Sequence, residues 1–231
     1  MRDERVRPVV TTSVTLGLAV GIFAVLFGVG SVAAGGSVAQ TCAMSLLVFT
    51  GASQLSAVAV IAGGGSVGSA LGGALVLAAR NGVFGLTMSR RLTGRLPTRL
   101  LAAQLTIDET TAMATAQTDP ALQRIAFWVT GVSLYIFWNL GTLAGALAGN
   151  AIDPKRFGLD AAIPSAFVAL LWPHLRTRNG RRAASPGAVL CLATIPFMPV
   201  GVPVLVASLA ILIALPHPRP GDVVDPIELP A

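Results

Sequence analysis

Charge is scarce in this chain. Of its 231 residues only 11% are charged and only 10 are acidic, while 54% are hydrophobic and the mean hydropathy is +0.75. Soluble helices keep a charged face, yet the run from Ser37 to Gly65 holds no charged residue. That excludes a soluble helical domain and predicts an all-α bundle of spans, each about 20 apolar residues long. Cysteine is almost missing too. Cys42 and Cys191 both lie in apolar segments, so neither a disulfide framework nor a zinc site is indicated, and no metal or cofactor is expected. The two histidines, His174 and His217, fall near a span end and in a polar tail. No Gly-rich phosphate loop and no G-x-S-x-G elbow occurs. A membrane hydrolase built on Ser53 would have no histidine base in any central span, so the chain is not expected to be an enzyme.

What charge there is has a pattern. The net charge is +6, with arginines grouped at Arg2, Arg5 and Arg7, at Arg90, Arg91, Arg95 and Arg99, and at Arg176, Arg178, Arg181 and Arg182. Short basic groups between apolar runs read as cytoplasmic-side topology signals and not as a nucleic-acid surface. The apolar length criterion gives seven spans, at Val9–Ala34, Val38–Gly63, Val67–Met88, Leu100–Gln117, Ala121–Gly149, Ala161–His174 and Gly187–Leu215. The first exceeds a signal-peptide core and is expected to stay uncleaved. Pro196, Pro199 and Pro203 cut the last into short pieces. Residues 1–215 thus form one transmembrane domain, and the proline-rich 216–231 a polar tail.

If all spans cross fully from a cytoplasmic amino terminus, the group at Arg90–Arg99 falls on the wrong side. At least one element is therefore expected to be broken or re-entrant. The suspects carry polar residues in mid-run: Gly51-Ala52-Ser53-Gln54 and Thr106-Ile107-Asp108-Glu109. An echo between FGVGSVAAGG (Phe27–Gly36) and LGTLAGALAG (Leu140–Gly149) suggests an internal repeat, as in many transporters. Glycines four residues apart, at Gly17 and Gly21, Gly68 and Gly72, and Gly141, Gly145 and Gly149, mark close helix packing.

Ionisable groups inside a membrane cost roughly 2.5 to 3.5 kcal/mol on insertion scales, and this chain places three there: Arg80, Asp108 and Glu109. A carboxylate at Asp108 or Glu109 could hold an ammonium or carry a coupling proton, while Thr106 and Glu109 also have capping-box spacing. Arg80 either counters a carboxylate or reaches toward the interface. Asn139, beside Tyr135 and Trp138, is either a substrate contact or interhelical glue.

Three segments in order resemble the AzlC family, the larger subunit of bacterial branched-chain amino-acid exporters: FTGASQLSAVAVIAGG, IDETTAMA, and WNLGTLAGALAG with FGLDAAIPSAF. The family's Asn-x-Arg-His segment appears here as Ala78, Ala79, Arg80 and Asn81, matching only at Arg80. The resemblance implies a multi-pass protein of the bacterial cytoplasmic membrane that exports branched-chain or related neutral amino acids. It also implies a proton gradient as energy source and a small AzlD-like membrane partner. On this reading the substrate meets Gly51, Ala52, Ser53, Gln54, Asp108, Glu109 and Asn139, with Arg80 as counter-charge. The competing reading is a non-transporting membrane scaffold whose polar residues only join helices.

Overall fold

The computed structural model describes residues 2–149 and 175–214, together with Ser165, Val168, Leu171 and Trp172. Among the described residues all regular structure is helical. The elements are α1 (Arg2–Ala33), α2 (Val38–Val48), α3 (Ala52–Ala62), α4 (Val67–Ser89), α5 (Leu96–Gln104), α6 (Asp108–Thr115), α7 (Pro120–Gly149), α8 (Arg178–Thr194), α9 (Val202–Ser208) and α10 (Ile211–Ala214). Three helices, Glu4–Ala33, Val67–Ser89 and Pro120–Gly149, are long and apolar enough to cross a bilayer. The other elements are shorter, so seven uninterrupted spans are not what forms.

Both suspect spans break. α2 and α3 are 11 residues each, about 16 Å at the usual rise, and α5 and α6 are shorter still, at 9 and 8 residues. The span expected at Gly187–Leu215 also differs: its helix begins at Arg178, capped by the Thr177 hydroxyl, so Arg178, Arg181 and Arg182 lie in a helix and only Arg176 precedes it. It ends at Thr194, before the prolines. The span expected at Ala161–His174 lies outside the described residues apart from four isolated positions, as does the stretch that follows the second copy of the proposed repeat, while that copy, Leu140–Gly149, is the end of α7. Residues 216–231 also lie outside them.

The centre of the bundle is a seam between α1 and α7. Ser13 bonds to Thr130 across it at 2.8 Å, Gly17 faces Ser133, Gly21 faces Phe137, and Gly149 faces Val29. The numbers rise together, so the two helices run parallel. Glycine makes this approach achievable: a Cβ on Gly145 would run into the Val25 carbonyl oxygen, one on Gly141 into that of Gly21, and one on Gly28 into that of Thr142. Without water between lipid-bathed helices, such close van der Waals contact is the main source of association. The stripe expected at Gly141, Gly145 and Gly149 thus packs on α1 at Gly21, Val25 and Val29, and Gly17 packs on Ser133 of α7. Gly72 packs on Leu205 of α9, whereas Gly68 meets nothing closer than the Ser66 hydroxyl at 3.7 Å and is not part of a helix contact.

Burial is inverted relative to a soluble protein. Ser13, Thr41, Thr130 and Thr142 are fully buried, while Leu18, Ile22, Leu140 and Leu147 are more than half exposed. The hydroxyls pair inside, Ser31 with Thr41 at 2.8 Å and Ser45 with Thr142 at 3.1 Å, so these desolvated hydroxyls find partners away from lipid. The α7 start is fixed by Asp119, whose side chain accepts from Ala121 N at 2.8 Å, with Pro120 at the first helical position. Asp119 also lies 3.7 Å from Arg5, bringing the starts of α1 and α7 together.

Gly145→Val should destabilise the protein by more than about 3 kcal/mol, because backbone and not a movable side chain opposes the new atoms. Gly68→Ala should stay within about 0.5 kcal/mol of the parent. Size-exclusion yield and thermal unfolding in detergent read both.

Candidate functional site

The two helix breaks face one another halfway along α1 and α7. Phe49 adopts a left-handed conformation (φ 41°), and Gly51 follows at φ 60°, a region where a side chain is strained. Together they turn the chain between α2 and α3. A break leaves carbonyls unpaired behind it and amides unpaired ahead of it, which the apolar core of a bilayer cannot satisfy. Gln54, almost fully buried, supplies both: its Oε1 accepts from Thr50 N at 3.3 Å and Gly51 N at 3.1 Å, and its Nε2 donates to Met44 O at 3.0 Å. Side chains from other helices complete the end of α2. Tyr135 Oη donates to Leu46 O at 3.1 Å, and Gln104 Nε2 donates to Leu46 O at 3.1 Å and Leu47 O at 3.2 Å.

The second break is finished by threonines. Thr106 donates to Ala102 O at 2.6 Å and closes α5, while Thr110 accepts from Ile107 N at 3.0 Å and opens α6. The capping pair is thus Ile107 with Thr110 and not Thr106 with Glu109: Thr106 is spent on the helix behind it, and the carboxylate is left free of a capping role.

Between the breaks lies a cavity of about 220 Å³. Its α2–α3 wall is Phe49, Thr50, Gly51, Ala52 and Leu55; its α5–α6 wall is Ile107, Asp108 and Glu109; Val20 and Phe23 come from α1, Leu134 and Trp138 from α7, and Arg80 from α4. The first intrahelical bond of α3 runs from Leu55 N to Gly51 O, leaving the amides of Ala52, Ser53 and Gln54 without helical partners at the positive end of the helix dipole. Arg80 meets Asp108 side by side, Nη1 to Oδ2 at 3.4 Å and Nη2 to Oδ1 at 3.5 Å, with both side chains more than a third exposed. Arg80 therefore counters a carboxylate and does not reach for the interface. One cation faces two adjacent carboxylates. Stacked and edge-on rings back the site, Phe27 with Trp138 at 6.0 Å and Phe49 with Tyr135 at 4.9 Å.

The structure divides the residues singled out in the sequence. Gly51, Ala52, Asp108, Glu109 and Arg80 share the cavity wall. Ser53 and Gln54 are buried beside it and do not line it. Asn139 is also not part of the lining: Nδ2 donates to Tyr135 O of its own helix at 2.8 Å, one position and about 100° past Trp138. Val20, Phe23 and Leu134 went unnoticed because an aliphatic or aromatic residue in an apolar helix carries no local sign of facing a cavity.

The AzlC protein family model matches residues 15–152, from inside α1 past the end of α7. The chain belongs to the AzlC family. Relatives include a membrane protein of Archaeoglobus fulgidus, 31% identical over 71% of this chain and 73% of its own length. The inner membrane protein YgaZ of Escherichia coli is 29% identical over 63% of each chain. A membrane protein of Helicobacter pylori strain J99 is 27% identical over 65% of this chain and 68% of its own. No solved structure matches. The AzlC match contains both breaks and every residue of the cavity wall, while α8 to α10 lie beyond it.

Gln54→Leu keeps most of the side-chain volume but strands two amides and a carbonyl. It should lower stability by at least about 2 kcal/mol, measured as thermal unfolding in detergent, with the shift larger than for Ser53→Ala.

Proposed function

We propose that this membrane protein is a secondary transporter that exports branched-chain or related neutral amino acids across the cytoplasmic membrane with a small AzlD-like partner. The observation that carries the reading is the meeting of two half-helix starts, one cation and two carboxylates in an otherwise apolar cavity. A zwitterion with an aliphatic side chain needs those three environments. The free amides at the start of α3 suit its carboxylate. Glu109, which has no arginine of its own, suits the ammonium, and Val20, Leu55, Ile107 and Leu134 suit the side chain. Gln54 acts here by holding the amides in place, without touching substrate. The coupling role is assigned to the adjacent Asp108 and Glu109, with Arg80 as their counter-charge. No metal, cofactor or nucleic acid enters this scheme, and no covalent chemistry is assigned to the site.

Leucine efflux from proteoliposomes containing the protein and its partner, under an imposed proton gradient, tests the proposal. Glu109→Gln and Asp108→Asn should each lower the flux at least about tenfold, as expected for losing a hydrogen bond to a charged group, while the protein remains folded. Unchanged flux in both would remove the site. Normal amino-acid pools in a deletion strain, with loss of another membrane complex, would favour the scaffold reading.

The same proposal includes a topology. Because α1 and α7 are parallel with neighbouring starts, the chain between them crosses an odd number of times. α4 is the uninterrupted crossing. With α2–α3 and α5–α6 both entering and leaving on one face, Arg90–Arg99 joins Arg5 on the cytoplasmic side, as the distribution of positive charge requires. The reach of Gln54 back ten residues to Met44 O favours such a reversal. In a chain with Cys42 and Cys191 replaced by serine, Thr93→Cys should react with a membrane-impermeant maleimide only from the cytoplasmic face; labelling from outside would mean that both broken segments cross.

A further inference from the structure

Away from the central cavity, α4 and α5 leave a second space between them, of about 320 Å³. Its walls are aliphatic, with Met88 and Leu92 at the end of α4 and Leu96 and Leu100 on α5, and the one charged residue lining it is Arg99. Leu96 and Leu100 are both more than 60% exposed, so the space opens sideways, toward the hydrocarbon. Arg80 lies at mid-depth in the bundle, and ten residues of helix carry α4 about 15 Å from it to Arg90, which is half the thickness of a bilayer core. The mouth of the space therefore sits at the headgroup boundary. Arg90, Arg91 and Arg95 directly adjoin the lining residues Ser89, Leu92 and Leu96 along the chain, and the sequence contains no acidic residue between Glu4 and Asp108. Asp108 is occupied by Arg80. Among the described residues no carboxylate pairs with any of the four arginines of this group.

We infer that the space between α4 and α5 binds an anionic phospholipid, with an acyl chain against Leu92, Leu96 and Leu100 and the phosphate on Arg99 and Arg95. A soluble anion would leave the aliphatic walls unfilled. A neutral lipid would leave the arginines unmatched, and basic pockets between membrane helices select anionic headgroups for this reason. The inner end of the space reaches Thr106, at the α5–α6 break, so the lipid would brace α5 against α4 beside the central cavity.

The full chain, purified in mild detergent and examined by native mass spectrometry, should retain dioleoyl phosphatidylglycerol at least about tenfold better than dioleoyl phosphatidylcholine. The Arg95→Gln/Arg99→Gln variant should lose about tenfold of that retention, whereas Arg178→Gln/Arg181→Gln should keep it. Ala103→Trp leaves the charge unchanged and fills the space, and should also lose it. Equal retention of the two lipids, or undiminished phosphatidylglycerol on both the arginine and the tryptophan variants, would overturn the inference. So would a photo-crosslink from position 100 in native membranes that captures a small membrane protein in place of lipid.

Discussion

A backbone that stops being helical in the middle of a membrane must still satisfy its amides and carbonyls, and there is no water to do it. In this protein one side chain does most of that work at the first break. Gln54 binds the two amides of Thr50 and Gly51 with its oxygen and the carbonyl of Met44 with its nitrogen. Tyr135 and Gln104 take the carbonyls that remain at the end of α2. The break is thus tied to α7 and α5 as well as to α3. The cavity exists because these bonds hold the start of α3 open instead of letting the helix continue through it.

The parallel α1–α7 seam provides the frame for that arrangement. Its glycines bring two backbones into contact along most of their length, and its flanks present Val20, Phe23, Leu134 and Trp138 to the cavity at one depth. Rigid helices on one side and two interrupted segments on the other form a site with fixed walls and a polar edge. Such a division suits a carrier, because free amides and charged groups can be displayed only where the chain departs from regular helix, while the departure itself is stable only against a rigid neighbour.

Much of the fold was legible from residue pattern. The glycine spacing at Gly141, Gly145 and Gly149 named the tightest contact correctly, and polar residues at Gly51–Gln54 and Thr106–Glu109 named both breaks. The details failed where the outcome depended on which way a side chain points. Thr106 and Glu109 have capping-box spacing, but the helix starts one residue later and Thr110 takes that role. Asn139 neighbours Trp138 in sequence and turns away from it in space. Gln54 carried the signal of a site residue, and its amide is consumed by the backbone it supports.

The sequence by itself determined that the chain lives in a membrane, that its helices pack through glycine, and that at least one of its spans, with Gly51–Gln54 and Thr106–Glu109 as the suspects, cannot be regular. These follow from composition, period and local chemistry, which need no knowledge of neighbours. Tertiary structure alone decided that Arg80 pairs with Asp108 across 28 residues of chain and that Val20 and Leu134 line one cavity. It also decided that Arg99 lines an apolar space with no acid among the described residues to meet it. Each of those facts depends on the relative rotation and depth of separate helices, and a pattern along one helix carries no information about either.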